Sequence, residues 1–119
     1  MCNLVEFKDN KYVADIKLNY IKNIVFQAEK CSKIKYIILF GSALEERCTI
    51  DSDIDIAIFG NELRSKILDS KSFHDFEKSV FEYDWNQDYD ILYYKDGSKN
   101  VSELMQNIKL GLEIYRRKV

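Results

Sequence analysis

A run of five apolar residues, 36–40, ends at Gly41-Ser42, and a second strand-like segment begins at Asp53. An uninterrupted apolar run of this length predicts a strand that is covered on both faces and lies centrally in a sheet. The second segment, residues 53–59, alternates aspartate with β-branched residues, which predicts a strand with an acidic face and an apolar face. Helices are therefore expected to cover the apolar side of this sheet.

Helical and extended patterns alternate along the rest of the chain. Apolar residues recur at helical spacing over 15–31, which predicts an amphipathic helix with Lys17, Lys22 and Lys30 on its polar side. The other predicted elements are a short helix over 43–47, a short helix capped by Asn61, a helix through Phe73 and Tyr83, a strand over 88–94, a helix over 100–110 capped by Asn100, and an edge strand over 112–115. This order predicts an α/β fold (α+β mixed sheet), with helices packed on a small mixed sheet in a single domain over 1–119.

Length and composition favour one cytoplasmic domain. The chain has 119 residues, of which 46% are hydrophobic, enough to close one core, and no apolar run is long enough to cross a bilayer. Three widely spaced cysteines and a single histidine form neither a disulfide framework nor a zinc pattern, which indicates a reducing compartment. The first residues lack the features of a secretory signal. A cytoplasmic protein without a membrane contact is expected.

The formal charge of −2 conceals a strong segregation of charge. Residues 43–96 carry six basic and fourteen acidic side chains, whereas residues 1–42 and 97–119 are each basic, with a charge of +3. A net acidic chain argues against sequence-independent binding to nucleic acid, which depends on contacts to phosphates. We expect no direct nucleic-acid partner.

Paired aspartates are the main chemical signal. Asp53 and Asp55 are two residues apart in a predicted strand, so their carboxylates share a face within reach of a common hard cation. Asp88 and Asp90 repeat this spacing on a later strand, and either of them could complete a three-carboxylate cluster. Two carboxylates ~4 Å apart repel by roughly 4 kcal/mol at an effective dielectric constant near 20, a conflict that Mg²⁺ would resolve. The alternative is a solvated acidic strand face.

Gly41-Ser42 is the second signal. It lies where a buried strand turns into a predicted helix, and glycine permits a close approach of the backbone to a ligand. Backbone amides and a hydroxyl at such a turn can bind phosphate. The alternative is an ordinary turn at the end of a strand.

Together these stretches resemble a known signature, and they read Leu39-Phe40-Gly41-Ser42 and Asp51-Ser52-Asp53-Ile54-Asp55-Ile56. The signature is that of the DNA polymerase β-like nucleotidyltransferase superfamily, and the length is similar to that of its minimal nucleotidyltransferases (MNT proteins). The resemblance extends over about residues 36–115. It implies the nucleotidyltransferase fold, binding of a nucleoside triphosphate by Gly41, Ser42, Arg47 and Ser52, and a two-metal Mg²⁺ site with catalytic Asp53, Asp55 and Asp90.

The resemblance also implies a function. We expect transfer of AMP from Mg-ATP to a hydroxyl, with Asp90 (or Asp88 in its place) activating that hydroxyl. Larger relatives hold the acceptor with an added helical domain, for which 119 residues leave no room. The acceptor is therefore expected on another protein, and the resemblance suggests a small helical HEPN-type toxin with this chain as its antitoxin and a tyrosine as the modified group.

Two other functions stay open at this point. Relatives often have an arginine-rich turn after Gly-Ser, whereas this chain has Glu45 and Glu46 before Arg47. These acids favour a non-catalytic module of the same fold that neutralises its partner by contact. The other alternative is transfer to a small molecule of the aminoglycoside type, which requires a pocket formed in a homo-oligomer.

Two smaller expectations concern aromatic and basic residues. Tyr93 or Tyr94, near the distal acidic strand, could contact an adenine. The basic residues Arg116, Arg117 and Lys118 are expected to form a solvated tail.

Overall fold

Strands and helices alternate along the chain in this computed structural model, which describes residues 2–118. One-turn 3-10 helices at Asp15–Lys17 and Gly41–Leu44 supplement the regular elements. In chain order those elements are β1 (Leu4–Lys8), β2 (Lys11–Ala14), α1 (Leu18–Glu29), β3 (Tyr36–Phe40), β4 (Ile54–Gly60), α2 (Arg64–Ile67), α3 (Lys71–Glu82), β5 (Tyr89–Lys95), α4 (Glu103–Lys109) and β6 (Leu112–Arg116).

The main sheet is mixed, as predicted. Its strand order is β5-β4-β3-β6, and β3 pairs antiparallel with both of its neighbours, while β4 and β5 are parallel. The apolar run 36–40 forms β3, an inner strand, and the alternating segment forms β4 beside it. The strand predicted at 112–115 is confirmed as the edge strand β6.

The two faces of this sheet differ in how they are covered. One face carries mainly isoleucine and packs against α1 and α3 in the larger core cluster, where Ile37, Ile56 and Ile58 are fully buried. The other face is covered only in part, because the short helix α4 places Met105 and Ile108 on it. Asp55 and Asp90 belong to this second face, which we call the open face.

An N-terminal hairpin lies outside the predicted elements. β1 and β2 pair antiparallel, and the two turn residues, Asp9 and Asn10, both have positive φ, at 46° and 64°. A two-residue turn of this kind matches the twist of a hairpin, and Asp and Asn tolerate it best after glycine. Val13 and Ala14 at the end of the hairpin are fully buried, so it contributes to the core.

Several local predictions were wrong in detail. The helix predicted over 43–47 is the 3-10 turn Gly41–Leu44, and α2 begins after Leu63 without a cap from Asn61. The N-cap of α4 is Ser102, whose hydroxyl accepts the Met105 N–H at 3.1 Å. Asn100 instead accepts the Ser102 N–H at 3.0 Å, so it shapes the turn before the helix.

The expected basic tail is in fact ordered by contacts. The Arg117 guanidinium donates to the carbonyls of Ala28, Cys31 and Ile34 at 3.1, 2.7 and 3.2 Å, which satisfies groups left open where α1 ends. Arg116 pairs with Glu113. Among residues 2–118 no helix is long and apolar enough to cross a membrane.

Candidate active site

The strand register brings the acidic residues of two strands together. Asp55 on β4 lies opposite Asp90 on the parallel strand β5, and adjacent strands are about 4.8 Å apart. Asp53 immediately precedes β4. Asp88 precedes β5, and its carbonyl accepts the Ile54 N–H at 3.1 Å. Of the two distal candidates, Asp90 is therefore the residue in register with Asp55.

Electrostatics couple these carboxylates. The pKa of Asp55 is raised, first by its burial and then by the negative charges of Asp90 and Asp53. Asp53 and Asp90 are exposed, and none of the three takes part in the ion pairs found within residues 2–118. Among the described residues, no cationic side chain pairs with Asp55 to offset the charge of its ionised form.

The carboxylates of Asp53, Asp55 and Asp90 are suitable ligands for Mg²⁺, although they are not arranged around a common metal position. Mg²⁺ prefers hard oxygen ligands, and carboxylates are the usual ones that proteins supply. Within the described part of the chain, however, no group of three or more His, Cys, Asp or Glu side chains is arranged to hold a metal ion as it stands. Asp53 and Asp90 are exposed, so their carboxylates have room to turn toward Asp55.

Gly41 links the Gly-Ser turn to the acidic strands. Its φ of +79° lies in the left-handed region that favours glycine, and a Cβ at this position would overlap the Asp55 carboxylate. The Gly-Ser turn and the Asp-x-Asp strand are therefore in contact, although Gly41 and Asp55 are fourteen positions apart in the sequence. They open into a cleft of about 460 Å³ lined by Phe40, Gly41, Leu44, Glu45, Arg47, Asp55, Asn107, Leu110 and Gly111.

The other residues predicted to bind the nucleotide are less clearly directed into this cleft. Arg47 lines the cleft, but its guanidinium pairs with Glu45. Ser42 follows Gly41 in the 3-10 turn, and its carbonyl accepts the Glu45 N–H at 2.9 Å. The Ser52 hydroxyl accepts the Thr49 N–H at 3.0 Å, so it shapes the loop before Asp53. Neither serine is among the residues lining the cleft.

A buried polar pair beneath the site was missed by the sequence analysis. Lys17, placed there on a polar helix face, is only 1% exposed. Its Nζ donates to Gln87 Oε1 at 2.6 Å and to the Ile50 carbonyl at 3.1 Å. The Gln87 amide donates in turn to the carbonyls of Ser52 and Asp88 at 3.0 and 2.7 Å.

This pair, Lys17 with Gln87, fixes the backbone just before both acidic strands. Burial lowers the pKa of Lys17, while the charges of Asp51 and Asp53 oppose that change. Both side chains act on the acids through the backbone, so they are positioning residues. No local pattern reveals them, because their partners are 33 and 70 residues away from Lys17 in the chain.

Comparison with known proteins identifies the class. The sequence matches the family described as Polymerase beta, Nucleotidyltransferase over residues 19–119. The chain therefore belongs to the polymerase beta nucleotidyltransferase family, which confirms the superfamily predicted from the Gly-Ser and Asp-x-Asp motifs. No curated protein matches the sequence closely enough to count as a relative.

Two solved structures show the same fold. One is the tri-AMPylated HEPN toxin of Shewanella oneidensis in complex with MNT antitoxin, with a TM-score of 0.53, 22% identity, and coverage of 86% of this chain and 73% of the matched chain. The other is a mutant of the toxin–antitoxin complex MntA-HpeT, with a TM-score of 0.56, 19% identity, and coverage of 85% and 76%. In that mutant two aspartates two positions apart are replaced by glutamate.

Proposed function

We propose that this chain is a Mg²⁺-dependent nucleotidyltransferase that transfers AMP from ATP to a hydroxyl on a partner protein. The observation that carries the proposal is the meeting of Gly41 with Asp55, and of Asp55 with Asp90 across two strands. A backbone that a ligand can approach closely then borders a cluster of carboxylates, which is the arrangement that transfer from a metal-bound triphosphate needs. We propose further that residues 1–119 act as one domain.

Each residue has a role in this reaction. The backbone at Gly41 and Ser42 holds the triphosphate, and Asp53, Asp55 and Asp90 hold Mg²⁺. When bound there, Mg²⁺ would act as a Lewis acid that offsets negative charge on the triphosphate and on the leaving pyrophosphate. Asp90 takes the proton of the acceptor hydroxyl as its oxygen forms a bond to the α-phosphorus. The bond between the α-phosphorus and the bridging oxygen breaks, and pyrophosphate leaves.

The nature of the acceptor rests on the structural neighbours. In one of them the HEPN toxin carries three AMP groups and is bound to MNT antitoxin. The aspartates replaced in the other have the spacing of Asp53 and Asp55. We therefore infer that this chain is the antitoxin of a HEPN-type toxin in the cytoplasm, and that it modifies a tyrosine hydroxyl of the toxin in more than one round.

One observation favours a second function. Glu45 lines the cleft and pairs with Arg47, so the cationic side chain there is directed to a carboxylate instead of a phosphate. A chain of this fold that neutralises its partner by contact alone would tolerate such an arrangement. The test must therefore separate transfer from neutralisation.

The deciding experiment combines labelled ATP with a growth assay. The purified chain is incubated with Mg²⁺, α-labelled ATP and a HEPN-type toxin of the same organism, and the same variants are expressed with the toxin in cells. We expect Asp53→Asn to abolish both labelling and rescue of growth, whereas Asp69→Asn, an exposed aspartate outside the site, keeps both. Full rescue by Asp53→Asn would establish the contact module, and absence of labelling by the unaltered chain would refute the transferase.

A further inference from the structure

A row of stacked side chains crosses the open face at the end opposite the acidic site. Register places Arg116, Tyr36, Phe59 and Tyr94 side by side on β6, β3, β4 and β5. The Arg116 guanidinium lies 4.4 Å from the centroid of the Tyr36 ring. The Tyr36 and Phe59 rings are 4.5 Å apart and tilted by 10°, and the Phe59 and Tyr94 rings are 5.5 Å apart and tilted by 26°.

The row ends at the edge of the sheet. Tyr94 lies on the edge strand β5, is only partly buried, and stacks on Phe59 with one face of its ring. Within the described residues no other aromatic ring stacks on it. Tyr93 differs, because it is 6% exposed and its hydroxyl donates to the Glu62 carbonyl at 2.7 Å. Of the two tyrosines, Tyr94 is the one that can offer a ring face to a planar ligand.

The same place is rich in unpaired positive charge. Tyr94 borders a cleft of about 430 Å³ that we call the basic aromatic groove, whose cationic side chains are Arg64, Lys95, Lys99 and Lys109. All four are exposed, and none joins an ion pair between described residues. The carboxylate in the groove, Asp96, is held by Lys35 and by the Tyr36 hydroxyl, so it does little to repel an anion.

The groove and the acidic site lie on one continuous face. Asp90, Leu92 and Tyr94 alternate along β5 and point to the open face, and Leu92 is partly exposed between the other two. Tyr94 lies four positions after Asp90 along the strand, a distance of about 13 Å. A molecule positioned with a hydroxyl at Asp90 can therefore extend along the edge strand to the groove.

We propose that the basic aromatic groove is a second nucleotide subsite, in which a base stacks on Tyr94 and a phosphate is bound by the surrounding cations. A partly exposed aromatic ring beside clustered cations matches a nucleotide better than an acidic peptide, which would use only the charges. The proposal rests on the proposed function for its occupant, which is the adenylate that the acceptor already carries from an earlier round of transfer. Free AMP has the same chemistry and is the other possible source.

The binding test uses AMP and ribose 5-phosphate without Mg²⁺ or partner, followed by NMR of the tyrosine rings and by calorimetry. We expect AMP to bind saturably at Tyr94 and about tenfold more tightly than ribose 5-phosphate, because one stacked base contributes on this order. Tyr94→Ala should remove that advantage and Tyr94→Phe should keep it. Lys99→Glu should weaken both ligands, whereas Lys78→Glu, an exposed lysine on α3, should change neither.

Three results would overturn the proposal that the basic aromatic groove binds a nucleotide. Equal affinity for AMP and ribose 5-phosphate would show that no base is stacked, and an unchanged AMP affinity in Tyr94→Ala would place the ligand elsewhere. An acidic peptide that competes with AMP at equal concentration would show that charge alone is recognised, which also contradicts the proposal.

A second arm identifies the source of the nucleotide. Mass spectrometry of the acceptor after reaction gives the ratio of multiply to singly adenylylated molecules. A lower ratio with Tyr94→Ala assigns the groove to adenylate on the acceptor, and an unchanged ratio assigns it to free nucleotide. The unaltered chain separates the two hypotheses. AMP binding in the groove without any transfer refutes the proposed function alone, and transfer without AMP binding in the groove refutes the groove alone.

Discussion

Gly41 is the residue at which the backbone and the chemistry of the site constrain each other most closely. Its φ is +79° and the Asp55 carboxylate occupies the space of a side chain, whereas Gly97 has a φ of +83° with nothing within 4 Å of an added Cβ. Both glycines therefore adopt a left-handed backbone conformation, but only Gly41 has another side chain, that of Asp55, in the space that a Cβ would fill. This difference makes Gly97 a matched control for Gly41.

We expect Gly41→Ala and Gly97→Ala each to lose about 1–2 kcal/mol of unfolding free energy, since alanine resists the left-handed conformation. Only Gly41→Ala should also abolish nucleotidyl transfer, because its methyl group displaces Asp55. Urea denaturation measures the first effect and labelling of the acceptor measures the second. Equal transfer by the two variants would contradict a functional contact between Gly41 and Asp55.

At the scale of elements, the Lys17–Gln87 pair joins the start of α1 to the segments that precede β4 and β5. Lys17→Met leaves Gln87 Oε1 and the Ile50 carbonyl without their donor, which costs roughly 1–3 kcal/mol for buried polar groups. Hydrogen exchange should then accelerate at the Ile54 amide, which bonds to the Asp88 carbonyl.

Lys22→Met is the control for this prediction, because Lys22 is an exposed lysine of α1. Its unfolding free energy should change by less than about 0.5 kcal/mol. If Lys17→Met were as stable as Lys22→Met and exchanged at the same rate, the buried pair would not be what positions the two acidic segments.

A pH-sensitive contact joins the start of β3 to the residue that follows β5. Hydrogen bonds from Lys35 and from the Tyr36 hydroxyl hold the pKa of Asp96 below its ordinary value of 3.8. A carboxyl group whose pKa is lowered by folding stabilises the folded state fully at pH values above its unfolded pKa. This stabilisation is lost as the pH falls through the lower pKa of the folded state. Asp96→Asn should therefore be less stable than the unaltered chain at pH 7, and the difference should vanish in acid. A difference that stayed constant down to pH 2 would contradict this.

Periodicity predicted most elements, because their burial pattern is local. The run 36–40 and the aspartate alternation gave β3 and β4 correctly, and the fold class followed from the order of elements. The β1–β2 hairpin was missed although Asp9-Asn10 lies between alternating residues, since it falls outside the family signature. Lys17 was misplaced because its burial depends on Gln87, far along the chain.

For the candidate site, sequence and structure contribute different parts. Spacing alone predicted that Asp53 and Asp55 share a face, but it left Asp88 and Asp90 equivalent, because both lie in the first residues of the strand predicted over 88–94 and point to the same face. Only the parallel register of β4 and β5 places Asp90 opposite Asp55. The contact of Gly41 with Asp55 likewise depends on the pairing of β3 with β4, which no local pattern reports.

In the whole molecule, opposite charges are separated along the open face. The acidic site lies at one end and the basic aromatic groove at the other, although Arg64 and Lys95 of the groove belong to the acidic segment 43–96. The net charge of a chain segment therefore does not predict where the charges lie on the surface. The separation of acidic and basic side chains along the open face is what determines the electric field that an acceptor meets. An acceptor with a hydroxyl at one end and negative charge at the other would be oriented by this field.

The acidic end has a cost that a cation should remove. Without Mg²⁺, burial and the charges of Asp90 and Asp53 oppose ionised Asp55, so Asp55→Asn should be at least as stable as the unaltered chain. Mg²⁺ at a hundredfold above its Kd should stabilise the unaltered chain by about 2.7 kcal/mol, which raises Tm by roughly 10 °C in a domain of this size. Asp55→Asn should abolish this rise and Asp69→Asn, which removes the same charge elsewhere, should keep it. Thermal unfolding with and without Mg²⁺ measures all three chains, and an equal rise in each would show that the ion acts on the general acidic surface and not at Asp55.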